Sequence, residues 1–101
     1  MSTEVKEISN ALHMAILGGW KPYTTTIDQE SLKVFNQVTG DLIGVEYEAL
    51  AVAKQVVSGT NYSFFCNAKI VGDGFNQAVT ILVYVNLKGE IKLQSITSIT
   101  R

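Results

Sequence analysis

Apolar positions along this chain follow two different periods. Between Thr26 and Gly40 they recur every three to four residues, at Ile27, Leu32, Phe35 and Val38. Thr26 or Asp28 stands where an N-cap is needed, Asp28 and Glu30 lie near the positive end of the helix dipole, and Gly40 ends the run. This spacing predicts an amphipathic helix over 27–39 whose apolar stripe needs a partner. From about Tyr47 the pattern shifts to alternation. Tyr62, Phe64, Cys66, Ala68 and Ile70 share one face of a predicted strand, and Ser63, Asn67 and Lys69 mark the wetter one. After the turn "GDGFNQ", Val79, Ile81, Val83 and Val85 alternate with Thr80, Leu82 and Tyr84, a strand apolar on both faces. "NLKGE" turns the chain again, and Ile91, Leu93 and Ile99 fall in a last, more polar strand. Periodicity leaves "EYEALAVAKQVV" open. Its Glu, Ala, Leu and Lys favour helix, whereas Leu50, Val52 and Val56 alternate with Ala49, Ala51 and Ala53 as a strand does.

Residues 1–17 read as a separate N-terminal arm, either flexible or a short helix built on Val5, Ile8 and Leu12. Gly18-Gly19 breaks that pattern, and "WKPYTTT" favours an extended linker. At 101 residues the chain has the length of one domain. Its hydrophobic fraction of 47% and charged fraction of 17% describe a folded domain rather than a disordered one. The net charge is −1, and Lys54, Lys69, Lys88 and Lys92 are scattered singly, so no basic footprint for nucleic acid exists. No apolar run approaches a membrane span, and the acidic start with its four-residue "MAIL" run does not read as a secretory signal. One cysteine, Cys66, excludes an internal disulfide and suits a reducing compartment. The expected location is therefore cytoplasmic.

"QVVSGTNY", Gln55 to Tyr62, resembles the signature of the cystatin superfamily, a Gln-x-Val-x-Gly loop continued by Thr-Asn-Tyr. The resemblance covers residues 18–101, a cystatin-like domain, and the order of glycine trunk, helix and strands agrees with it. It implies an α+β fold with one helix packed across a four-stranded antiparallel sheet, five-stranded if the trunk joins. It also makes "EYEALAVAKQVV" a strand. "GGWKP" and the single cysteine are similar to the stefins, the disulfide-free branch.

The resemblance implies a reversible, competitive inhibitor of papain-like cysteine proteases that inserts a wedge into the active-site cleft. Three segments would form that wedge: Leu17, Gly18 and Gly19 of the trunk; Gln55, Val56, Val57, Ser58 and Gly59 of the first hairpin; Leu87 and Lys88 of the second. Leu17 would fill an apolar subsite. Ser58 and Gly59 are small enough for a narrow cleft, and strand alternation turns one of Val56 and Val57 to the partner and the other to the fold. Stefins often carry Leu-Pro in the second hairpin, where this chain has Leu87-Lys88. Lysine adds conformational freedom that binding must remove, so the expected inhibition is weak to moderate. The alternative is a non-inhibitory cystatin-fold module for protein binding or self-assembly, as a monomer or a domain-swapped dimer.

Other chemistry has little to stand on. Cys66 falls on an apolar strand face as an inert thiol, and His13 lies in the arm, so a Cys–His pair is not expected. No His, Cys or carboxylate cluster has metal-ligand spacing, and no cofactor motif is present. Asp73 between two glycines is turn chemistry, Glu46 and Glu48 share a solvent face, and Trp20 reads as a lid on the sheet or helix. Nothing in these residues describes an enzyme.

Overall fold

Asp28 starts the helix. Its backbone is extended (φ −72°, ψ 167°), and its Oδ1 accepts the N–H of Ser31 at 2.8 Å, satisfying a donor that the first helical turn leaves open. The computed structural model describes residues 19–99. Helix α1 (Gln29–Thr39) ends at Gly40, which stays in the right-handed region and donates its N–H to Asn36 O at 2.9 Å. The helix buries Ser31, Val34, Phe35 and Val38, with Ile27 packed beside them.

Leu32 departs from the expected stripe and is 42% exposed. The reason is angular: each helical residue advances about 100°, so Leu32 lies a full step round from the Ser31–Phe35–Val38 line. The small Ser31, wholly buried, takes the central place that the sequence pattern gave to a leucine.

Four antiparallel strands follow: β1 (Val45–Val57), β2 (Gly59–Ile70), β3 (Asn76–Val85) and β4 (Ile91–Ser98), ordered β1-β2-β3-β4. The helix crosses one face of this meander. At the β1 side Asp28 meets Lys54, and at the β4 side Val38 lies with Ile91 and Leu93. The face beneath it carries Tyr62, Phe64, Cys66 and Ala68 of β2 and Val79, Ile81 and Val83 of β3, all buried as the alternation predicts. Phe64 is its centre. Its ring centroid lies 5.1 Å from Phe35 of the helix and 5.9 Å from Tyr62, against which it stacks. Truncating Phe64 to alanine would cost about 3–5 kcal/mol.

The segment left open by periodicity is a strand of 13 residues, but not a regular one. Ala49 pairs with Cys66 and Ala51 with Phe65, so Leu50 is an extra residue, a β-bulge. The bulge moves Ala49 and Val52 onto the helix face together and leaves Leu50 largely exposed, in place of the uninterrupted alternation expected. β4 has a similar slip opposite Leu82 and Val83. Ile99 lies just past β4, where its N–H still donates to Ala78 O at 2.9 Å.

The trunk runs antiparallel to β1 as a partial fifth strand. Thr24 and Val52 exchange both backbone hydrogen bonds at 2.9 Å, and Lys21 N–H donates to Lys54 O at 2.8 Å. Two separated bridges, Thr24 to Val52 and Trp20 to Gln55, satisfy part of an edge that would otherwise be open.

Candidate binding edge

Pairing brings three segments to one end of the sheet. Thr60 pairs with Val85, so the turn after β1, with Ser58 between Val57 and Gly59, and the turn after β3, residues 86–90, lie side by side. The Trp20–Gln55 bridge carries the trunk to the same end on the outer side of β1. Gly19 is the first described residue there; Leu17 and Gly18 lie outside the described residues, as do the arm and His13. Trp20 is 40% exposed, and its backbone bridges to Gln55.

Each predicted contact residue of the first hairpin has a distinct setting. Gln55 Oε1 accepts from Asn61 Nδ2 at 2.9 Å, tying the hairpin's two strands together. Val56 and Val57 are 56% and 43% exposed, so neither faces the fold as alternation predicted. The hairpin extends past the helix, whose N-cap meets Lys54, and no layer remains there to cover a valine. Ser58 is exposed at the tip. Gly59 is buried, with φ +106°, and a Cβ there would overlap the Val85 carbonyl oxygen and stand 3.0 Å from the Asn86 Cα. Within the chain, then, glycine at 59 lets the first hairpin rest on the second.

The two hairpins are joined again by Tyr84, whose hydroxyl donates to the Ser58 carbonyl oxygen. A hollow of about 260 Å³ lies between them, lined by Ser58, Tyr84, Asn86, Leu87, Lys88 and Glu90. Leu87 is 80% exposed at its rim, and Lys88 and Gly89 (φ +87°) complete the turn. The turn that has Lys88 in place of proline is hydrogen-bonded through one side chain, Asn86. The N–H of Lys88 and that of Glu90 both donate to Asn86 Oδ1, and Asn86 Nδ2 donates to Glu90 Oε1.

Tyr84 and Asn86 were not among the residues the sequence singled out. Tyr84 reads only as a member, with Thr80 and Leu82, of the second face of a strand apolar on both faces. Asn86 had a legible signal, because asparagine at the first position of a Gly-containing turn commonly accepts backbone N–H groups two residues on.

The chemistry of the edge is that of contact. Val56, Val57 and Leu87 supply exposed apolar surface, and the titratable groups with resolved shifts lie away from it. Asp28 falls from its ordinary 3.8 to about 2, chiefly through its hydrogen bond to Lys54 (2.6 Å) and then through Ser31. Burial pushes the Cys66 thiol up to about 12, which leaves it protonated and unreactive in the core. Burial also raises Tyr62, whose ring lies 5.6 Å beneath the Lys54 ammonium.

No protein-family model matches the chain, and no curated protein does. Among solved structures it is similar to a secreted type 1 cystatin from Fasciola hepatica, 24% identical, with 83% of this chain and 98% of that one covered at a TM-score of 0.59. One helix across a four-stranded antiparallel meander, with the glycine-bearing hairpin at the same end as the trunk, is thus the cystatin fold.

Proposed function

We propose that this protein is a reversible, competitive inhibitor of papain-like cysteine proteases. The observation that carries the reading is the alignment of the trunk, the Gln55–Gly59 hairpin and the Leu87–Lys88 hairpin along one end of a cystatin fold. A row of three chain segments makes a wedge, and exposed Val56, Val57 and Leu87 supply its apolar contact. Tyr84 and Gly59 hold two of the segments together before any partner arrives, which lowers the ordering cost of association. Leu17 and Gly18 would extend the wedge along the cleft from the trunk side. An interface of this kind buries roughly 800 Å² on each partner. The test is titration of papain acting on a small fluorogenic peptide. Competitive inhibition that reverses on dilution is expected; papain left fully active at micromolar inhibitor would end the reading.

A second reading has its own observation. At the opposite end of the sheet Ile43, Val71 and Phe75 are 95%, 60% and 62% exposed, which favours a non-inhibitory module for binding or self-assembly. Sedimentation equilibrium distinguishes it: a mass above one chain that drops to one chain in Ile43→Ser/Phe75→Ser would support assembly through that end. A dimer unaffected by those changes would point instead to exchange of the first hairpin.

A further inference from the structure

A turn made with lysine and glycine and without proline must get its order from bonds within the turn, because proline restricts φ and these residues do not. The 86–90 turn gets it from one side chain. Asn86 Oδ1 accepts the N–H groups of Lys88 and Glu90, both at 2.9 Å, and Asn86 Nδ2 donates to Glu90 Oε1 at 2.6 Å. The main chain of the same residue closes the loop: its N–H donates to Glu90 O at 3.0 Å and its O accepts from Gly89 N–H at 2.9 Å. We propose that Asn86 is the positioning residue of the second hairpin, pinning the chain on both sides of Leu87 and so holding that side chain ready to dock. The proposal rests on the inhibitory reading above and names the residue that orders its second hairpin.

An asparagine that merely ended a strand would need only one such bond. Here both the acceptor and the donor of the amide are used, and all of its partners lie within the turn. None of them is in the core, and Leu87 between them stays exposed. The network therefore orders an exposed tip rather than supporting buried structure. Without it, Leu87 would have to be fixed by the partner, at a cost in affinity.

Asn86→Ala, Leu87→Ala and the double variant test this, with three readouts: papain inhibition constant, melting temperature, and amide exchange at Lys88 and Glu90. Asn86→Ala is expected to weaken inhibition about ten-fold, the scale of one or two lost hydrogen bonds, with faster exchange at both amides and an unchanged melting temperature. Added to Leu87→Ala it should weaken inhibition no further, since Asn86 acts through Leu87. Asn86→Asp/Glu90→Gln, which keeps both accepted bonds and reverses the side-chain pair, should restore inhibition. Native inhibition by Asn86→Ala, unchanged exchange, or additive losses in the double variant would each overturn the proposal. If the wild-type protein leaves papain active while Asn86→Ala still speeds exchange, the inhibitory reading falls and Asn86 keeps its role in ordering the turn.

Discussion

Gly59 faces the carbonyl oxygen of Val85 so closely that a Cβ on it would overlap that oxygen, which leaves the first hairpin no room for a side chain beside the last residue of β3. Gly59→Ala would force a side chain into a left-handed backbone, a strain of order 1–3 kcal/mol, and press it against a carbonyl that the β-ladder holds in place. The expected loss is at least about 2 kcal/mol in urea unfolding, on the scale of that strain. An unchanged midpoint would show that the hairpins can separate freely. Any loss of protease binding in a Gly59 variant has to be judged against this cost, because the residue serves the fold before it serves a cleft.

Tyr84→Phe removes only the hydroxyl that reaches the Ser58 carbonyl. A single hydrogen bond contributes about 0.5–1.5 kcal/mol, and an exposed one falls at the low end. The melting temperature should hardly move, while exchange of the amides at the first hairpin tip should quicken. Equal exchange in both proteins would mean that Tyr84 does not brace the hairpins.

Leu32→Gln and Phe35→Ala separate the expected helix stripe from the observed one. Phe35 packs on Phe64 and its loss should cost about 3–5 kcal/mol. Leu32 is partly solvent-exposed, and its replacement should cost under about 1 kcal/mol. The reverse order in chemical denaturation would restore the stripe read from spacing.

What the sequence made legible here is mostly periodic. Tyr62, Phe64, Cys66 and Ala68 are grouped on the correct face because strand geometry alternates strictly, whereas the face of β3 that meets the helix, with Val79, Ile81 and Val83, is not legible because both of its faces read as apolar. The Leu50 bulge was invisible, since an extra residue opposite Cys66 and Phe65 is set by how two strands meet, not by what either contains. Propensity pointed the wrong way for β1, where Ala51 and Ala53 are buried strand residues and Ala49 packs on the core. At the binding edge the motif located the first hairpin. Its bracing could not be read, because Tyr84 and Ser58 stand 26 residues apart and meet only through the register of β2 with β3.

Asp28 joins the helix to β1, and its titration should be measurable in stability. Its carboxylate caps α1 through Ser31 N–H and pairs with Lys54 of β1. Folding lowers its pKa from 3.8 to about 2. A lowered carboxylate pKa means that the unfolded chain binds the proton more readily. The group's contribution is therefore complete well above 3.8, declines as pH falls toward 2, and is gone below that. The Asp28 side chain is 53% exposed, so solvent screens the pair and its value is at most about 1 kcal/mol. Asparagine keeps the capping acceptor, so Asp28→Asn removes the charge alone, whereas Asp28→Ala also loses the cap, for about 1 kcal/mol more. At neutral pH the order of stability should be wild type, Asn, then Ala. On acidification the gap between wild type and Asp28→Asn should close across the interval from about 4 to about 2, the range between the unfolded and folded pKa values. The gap between the Asn and Ala variants should persist. Urea unfolding at stepped pH reads both differences, and a wild-type-to-Asn gap that stays constant through that interval would remove Lys54 as the cause of the shift.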